Sequence, residues 1–323
     1  MIRRLAPEAW KQRSRSIRRV RTFFEDRGFL EVETPILNPW ATTEPFLYPF
    51  EVLQEAGKGH ATLITSPEFN LKVLWADLRC NLFEIAHCFR GRESGPLHTS
   101  EFLMLEWYAT ETDEQNSIQL IHALIACLLE NQESRSAQDV IPQLQVFRME
   151  ELFQSILGLS LDFETIRIYC LKRGHFAHDA PDAKRRYEEY FFTLFLNYVE
   201  PSLNSEHIVA IYDYPEELAA YARIENGRAR RFEVYWKGLE LANGYVEVCD
   251  AREQRKRMQS EATVKDALLA EEGRKARQPM DEQLLEVMEE SPLPDGCGVA
   301  LGLDRLLMAI QGADSIDQIS PFQ

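Results

Sequence analysis

"FRGRESGPLHTSEFLMLEWY", residues 89–108, is the stretch that decides the fold. Two arginines and a glutamate open it, a short segment with Gly95 and Pro96 follows, and then apolar residues alternate. A strand has a side-chain period of two, so Phe102, Met104, Glu106 and Tyr108 share one face and Glu101, Leu103, Leu105 and Trp107 the other. Taken alone, a glutamate on a strand is more often solvated or salt-bridged than functional. Glu106, however, lies between Met104 and Tyr108, just beyond an arginine-rich loop.

Working outward, "LFEIAHCFR" reads as the antiparallel partner strand across the 91–100 loop. Residues 7–27 read as a helix, with Pro7 near its start, Trp10, Ile17, Val20 and Phe24 at helical spacing, and Gly28 as its stop. "FLEVETPIL" alternates as a strand that meets Pro35, and residues 38–59 read as loop. "HATLITSPEFNLKVLWADL" predicts a strand running into a helix, with Ser66 as N-cap, Pro67 at N1 and Glu68 in the first turn. An amphipathic helix is predicted over 113–131 after Thr112 and Asp113, and further helices over 181–200 and most of 250–290. "HIVAIYDYP" is a strand, and "RRFEVYWKGLELANGYVEVCD" is two strands joined near Gly238. "GCGVALGLDRLLMAIQG" is a glycine-rich strand turning into a helix. The expectation is one α+β domain over residues 1–323, an antiparallel β-sheet flanked by helices. Residues 132–180 show no clear pattern.

The totals restrict function. With 36 Lys+Arg against 52 Asp+Glu, the net charge is −16, a poor balance for gripping a long polyanion. The six cysteines, at 80, 88, 127, 170, 249 and 297, form no CxxC pair and no metal-ligand spacing, as in a reduced cytoplasmic protein. No apolar run reaches the ~18 residues of a membrane helix. The basic N-terminus "MIRRLAPEAWKQRSRSIRRV" lacks the apolar region of a signal peptide.

Arginine binds phosphate bidentately and keeps its charge, which makes Arg90, Arg92 and Arg305 candidates for a polyphosphate. Phe102 could stack under a base, with Arg305 over its other side. Neither a Walker-type loop nor GxGxxG is present. Glu106 lies about 14 Å along the strand from Phe102, at roughly 3.4 Å per residue. Glu106, Tyr108, Asn243, Tyr245, Glu247 and Glu68 together suggest an aromatic-walled acidic pocket, which suits a cationic ligand such as a diamino acid. Glu233 and Glu240 could hold Mg²⁺, a cation that prefers oxygen ligands. They are seven residues apart, so this reading needs a bend or bulge near Gly238. The basic run Arg13–Arg21 and the charged stretch 252–275 read as solvated helix faces.

These residues resemble the catalytic domain of class II aminoacyl-tRNA synthetases of the lysyl subtype. "GFLEVETPIL" resembles motif 1, the opening stretch resembles motif 2, and "GVALGLDRLLM" resembles motif 3. "TSPE" and "ELANGYVE" match lysine-specific segments. Motif 1 begins near residue 28, leaving no room for an N-terminal OB anticodon-binding domain. The chain thus resembles the family of truncated paralogues that activate (R)-β-lysine with ATP and attach it to a lysine of elongation factor P.

The resemblance implies ATP and Mg²⁺, an (R)-β-lysine or lysine substrate, elongation factor P as acceptor, no tRNA, no membrane and a homodimer. Arg90 and Arg305 would be catalytic. Arg90, Gly91, Arg92, Glu93, His98, Thr99, Phe102, Glu240, Leu241, Gly302 and Arg305 would bind ATP. Ser66, Pro67, Glu68, Glu106, Tyr108, Asn243, Tyr245, Glu247 and Ala300 would line the amino-acid pocket, and Glu233 and Glu240 would hold the metal. The usual Arg-x-Glu of motif 2 has Arg92 at its third position, with the acid one residue later at Glu93. His98-Thr99-Ser100-Glu101-Phe102 replaces His-Asn-Pro-Glu-Phe, and Ala300 stands where lysyl synthetases have glycine, a hint of a β-amino acid. A minimal lysyl-tRNA synthetase and a non-catalytic regulatory protein are the alternatives.

Overall fold

The computed structural model describes residues 5–53, 60–93, 95–130, 140–176, 187–274 and 280–320. Its first third contains α1 (Pro7–Glu25), β1 (Leu30–Glu31), β2 (Leu37–Asn38), β3 (Glu51–Leu53), β4 (His60–Leu63), α2 (Glu68–Leu78), β5 (Leu82–Phe89) and β6 (Glu101–Thr110). The middle holds α3 (Glu114–Glu130), β7 (Leu144–Arg148), α4 (Met149–Leu157), α5 (Phe163–Lys172) and α6 (Tyr187–Leu194). The last third contains β8 (Ile208–Pro215), β9 (Ile224–Glu225), β10 (Arg228–Trp236), β11 (Leu239–Val246), α7 (Ala251–Glu271), α8 (Glu282–Glu290), β12 (Gly296–Gly302) and α9 (Leu303–Gln311). Parts of the helices expected over 181–200 and 250–290 lie outside the described residues.

Among the described residues, nine strands form one sheet in the order β1-β5-β6-β12-β11-β10-β8-β7, with β9 on β10, and β2-β4-β3 form a small second sheet. The expected antiparallel sheet is therefore mixed, because β1 pairs with β5 and β7 with β8 in parallel. Its centre, where the site lies, is antiparallel throughout. The strand expected in "FLEVETPIL" shrinks to Leu30 and Glu31. Beyond it the buried Glu84 carboxylate takes the Thr34 N–H at 3.0 Å and the Thr34 hydroxyl at 2.8 Å, so side-chain bonds replace the ladder. The hairpin at Gly238 forms as expected. Lys237 (φ 54°) and Gly238 (φ 73°) both take the left-handed conformation that a two-residue turn requires.

The alternation in β6 divides the sheet into two faces. Leu103, Leu105 and Trp107 enter the main core with Val20, Phe23 and Phe24 of α1, Ile118, Ile121 and Leu124 of α3, and Leu306 and Leu307 of α9. On the other face, Met104 and Tyr108 join smaller clusters, the latter with Trp75 of α2 and Leu284 of α8. A further cluster packs α4, α5 and α6 against β8. That second face of the central sheet is thus walled by helices at its rim and left for the site.

One side chain in the basic N-terminal run is not solvated as expected. Arg13 is buried and pairs with buried Asp304 of α9. Asp304 also accepts the Leu103 N–H at 2.8 Å, and Arg13 reaches the Ile319 carbonyl at 3.4 Å. This network ties α1, α9 and the start of β6 together. Removing one partner leaves a buried charge without its counter-ion. Asp304→Ala is expected to destabilise the fold by about 3–5 kcal/mol, read as a fall in the urea midpoint without a change in slope.

Candidate active site

The motif 2 hairpin, β11 and the β12–α9 junction enclose a cavity of about 150 Å³. Arg90, Glu93, Leu97, His98, Thr99 and Phe102 line it from the hairpin, Glu240, Leu241 and Asn243 from β11, and Ala300, Gly302 and Arg305 from the far side. Arg90 is held by the Thr65 carbonyl, which accepts from Nε at 3.2 Å, and by Glu93, whose carboxylate is 3.8 Å from Nη1. Its guanidinium lies 5.2 Å from the Phe102 ring centroid. Arg305 donates to the Glu240 carbonyl at 3.2 Å and also meets His98 Nε2. Burial and the Arg305 charge keep His98 below its ordinary pKa. A neutral imidazole can then accept from the guanidinium.

Arg92 is not brought to this cavity. Its backbone is left-handed (φ 66°), its guanidinium lies 3.8 Å from the Tyr48 ring centroid, and it pairs with both oxygens of Glu272 at 2.7 and 2.6 Å. Glu93 takes the inward place instead. Gly91 is also outside the cavity lining, with its N–H donated to the Tyr48 carbonyl at 2.6 Å.

Glu233 and Glu240 sit on the two arms of the β10–β11 hairpin. Val234 pairs with Ala242 but Tyr235 with Glu240, so Leu241 is the extra residue of a bulge. The bulge turns Glu240 to the same side as Asn243, which pairs directly with Glu233. Glu233 accepts from Arg231 and Tyr235. Burial first, then the Glu233 charge, push the Glu240 carboxyl up to about 7. Two mutually repelling oxygen donors fit a hard divalent cation. Among the described residues, no group of three or more His, Cys, Asp or Glu side chains forms a metal cluster.

A second cavity, of about 50 Å³, opens beside the first. Ser66, Glu68, Glu106, Tyr108, Asn243, Tyr245, Glu247 and Ala300 line it, together with Glu44, Met104 and Gly298. Pro67 does not line it. The helix α2 starts one residue later than expected, with Pro67 at the flanking position. Ser66 Oγ accepts the Glu68 N–H at 3.0 Å and donates to Glu106 at 2.7 Å, while Tyr108 donates to the other Glu106 oxygen at 2.9 Å. Gly298 is required by close approach, since a methyl group there would overlap the Glu247 carboxylate and the Tyr108 ring.

Sequence reasoning missed Glu44 and Lys72. Lys72 is fully buried, with Nζ 2.6 Å from Glu68 and 2.8 Å from Glu247. Its i,i+4 spacing from Glu68 was a readable signal. Glu44, in a loop without periodicity, gave none. The charged stretch after 252 also departs from expectation, because Gln254 and Lys265 of α7 are buried. Arg90, Met104, Asn243 and Ala300 line both cavities. An arginine-lined cavity thus meets a carboxylate-lined one at Arg90. No described helix is long and apolar enough to cross a membrane, and the six cysteines are free.

The family model for class II tRNA synthetases (D, K and N) matches residues 2–323. An elongation factor P–(R)-β-lysine ligase of Proteus mirabilis is 35% identical over 319 residues, covering 96% of this chain and 93% of its own. Ligases of the same name are similar at 35% in Mannheimia succiniciproducens, over 96% of this chain and 93% of theirs. In Klebsiella pneumoniae the figures are 36%, 94% and 91%.

Burial is the largest cause that pushes Glu106 up to about 8 and Glu247 up to about 7, with the neighbouring Glu68 charge adding to both. The folded chain therefore binds protons that the unfolded chain has released, and its stability falls as pH rises. Without ligand, the melting temperature is expected to decline between about pH 4.5 and about pH 8. Glu106→Gln, a neutral isostere of the protonated acid, should make that decline shallower when melting is followed across the same range.

Proposed function

The chain belongs to the class II tRNA synthetase (D, K and N) family, and we propose that it is a ligase that activates (R)-β-lysine with ATP and transfers it to a lysine side chain of elongation factor P. The observation that carries this reading is the meeting of the two cavities at Arg90. The acidic cavity suits a compound with two ammonium groups, and its mouth opens where a carboxylate would reach a phosphate held by arginine. The relatives that align over 96% of the chain, at 35% identity, carry this activity in their names.

In the first step the amino-acid carboxylate oxygen attacks the α-phosphorus of ATP, the bond to the bridging oxygen breaks, pyrophosphate leaves and an acyl-adenylate forms. No protein nucleophile is needed. Arg90 orients the α-phosphate and neutralises charge that develops there, and Asn243 and Ala300 shape the junction. Phe102 and Arg305 hold the adenine between ring and guanidinium, with Arg305 aimed by His98 and the Glu240 carbonyl. Glu233 and Glu240 would hold Mg²⁺, which when bound neutralises phosphate charge. Glu93, rather than Arg92, supports Arg90.

In the second step the lysine amine of the acceptor attacks the adenylate carbonyl and AMP leaves. Ala300 pairs with Glu106 on one side and Asn243 on the other, so its methyl group sits at the junction and favours a β-amino acid over an α-amino acid. The net charge of −16 supports a protein acceptor over tRNA. Half-exposed Leu30, Ile36 and Leu37, in the motif 1 region, provide apolar surface for a homodimer. The reading places the enzyme in the cytoplasm, with reduced cysteines.

Elongation factor P incubated with this protein, Mg-ATP and (R)-β-lysine should gain the mass of one β-lysyl group, whereas lysine tRNA should gain nothing. Arg90→Ala should lower ATP–pyrophosphate exchange by about 10²–10³-fold, the usual loss for a transition-state donor. Absence of both exchange and mass gain in the unmodified protein would overturn the reading.

A further inference from the structure

Arg92 holds its charge outside both cavities, and its backbone is strained to do so. Its left-handed φ of 66° is a conformation that a residue with a Cβ resists, so other parts of the structure must keep it there. The reversal sends the Arg92 side chain outward and leaves Arg90 and Glu93 facing the larger cavity. Neither Arg92 nor Glu272 is among the described residues that line either cavity.

The grip on Arg92 comes from two other segments. Glu272 accepts from both terminal nitrogens of the guanidinium, at 2.7 and 2.6 Å, and the Tyr48 ring centroid lies 3.8 Å from the same group. Glu272 stands at the C-terminal end of α7, where the helix carbonyls disfavour a carboxylate. Hydrogen bonds from Arg92 nonetheless hold its carboxyl below the ordinary range. An isolated surface ion pair contributes little, but a two-pronged pair stacked on an aromatic ring has a defined geometry.

Tyr48 is itself fastened to the motif 2 loop. Gly91 donates its N–H to the Tyr48 carbonyl at 2.6 Å, and a methyl group at position 91 would come within 3.1 Å of that oxygen. One residue earlier, the Leu47 carbonyl accepts from buried Lys265 of α7 at 2.8 Å. Helix α7 therefore supports both surfaces that grip Arg92, Glu272 directly and Tyr48 through Lys265. The other side of the loop is anchored separately, by the Pro96 carbonyl, which accepts the Ile316 N–H at 2.7 Å. Arg92 is the side-chain anchor on the limb that carries Arg90 and Glu93.

Resting on the reading of the larger cavity as the ATP site, we propose that Arg92 is a positioning residue, clamped between Glu272 and Tyr48 so that the motif 2 loop presents Arg90 and Glu93 to the nucleotide. Calorimetric titration with ATP, together with ATP–pyrophosphate exchange, tests this in Arg92→Ala, Glu272→Ala and the double variant. Each single variant should raise the Kd and KM for ATP by about 5- to 20-fold, as expected for a bidentate pair stacked on an aromatic ring. The double variant should be no worse than either single one, and Arg92→Lys, which keeps the charge but not the fork, should recover only part of the loss. The KM for (R)-β-lysine and the melting temperature should stay unchanged. Weaker ATP binding in Arg92→Ala with none in Glu272→Ala would overturn the proposal, because Arg92 would then leave Glu272 and touch the nucleotide. Unchanged ATP binding in both, or a parallel loss of melting temperature and (R)-β-lysine affinity, would overturn it equally. A wild-type protein that binds no ATP would instead remove the nucleotide reading on which the proposal rests.

Discussion

The site is built on a repulsion that the fold must contain. Four carboxylates border one small cavity, and a single fully buried ammonium group, Lys72, lies between two of them. Glu68 and Lys72 come from α2, Glu106 from β6, and Glu247 from just past β11, so the pairing sets the position of α2 against the centre of the sheet. One lysine cannot neutralise all four. Burial raises the pKa of Glu106 and Glu247, and the Glu68 charge adds to both. The same excess of carboxylates suits the ligand with two ammonium groups that the proposed function requires.

The second cavity depends on the first through shared walls. Arg90, Met104, Asn243 and Ala300 belong to both, because β6, β12 and β11 lie side by side and each contributes residues to the same face. Helix α7 then supports the loops above each cavity. Lys265 and Glu261 hold the 42–47 loop, and Glu272, at the end of the helix, holds Arg92 of the motif 2 loop. A helix whose sequence looks like a solvated charged face is in fact a brace for the loops above the two cavities. Buried charged residues persist there because each meets a specific partner.

Much of the fold was legible in particular residues. The alternation from Phe102 to Tyr108 identified both faces of β6, and each face went where its side chains required. Gly238 marked the turn between β10 and β11, and Ser66 was rightly placed at the start of α2, though one position early. The parallel pairings of β1 and β7 were not legible, since strand direction depends on how distant segments meet and leaves no local periodicity. Glu84 intercepting Thr34, which cut the motif 1 strand short, is also a contact between segments far apart in sequence.

The sequence by itself determined the residue types of the site and the order of the motifs, because side-chain periodicity and motif spacing are local properties. It placed Arg90, Phe102, Glu106, Asn243, Glu247 and Arg305 on the right elements. Only the tertiary structure decided which charges face one another. It sent Arg92 outward to Glu272 and Tyr48, used a bulge at Leu241 to bring Glu240 to the site, and drew Glu44 from an aperiodic loop into the acidic cavity. Each of those outcomes depends on distances between segments remote in the chain, and Coulomb energy and desolvation follow distance and burial rather than sequence position.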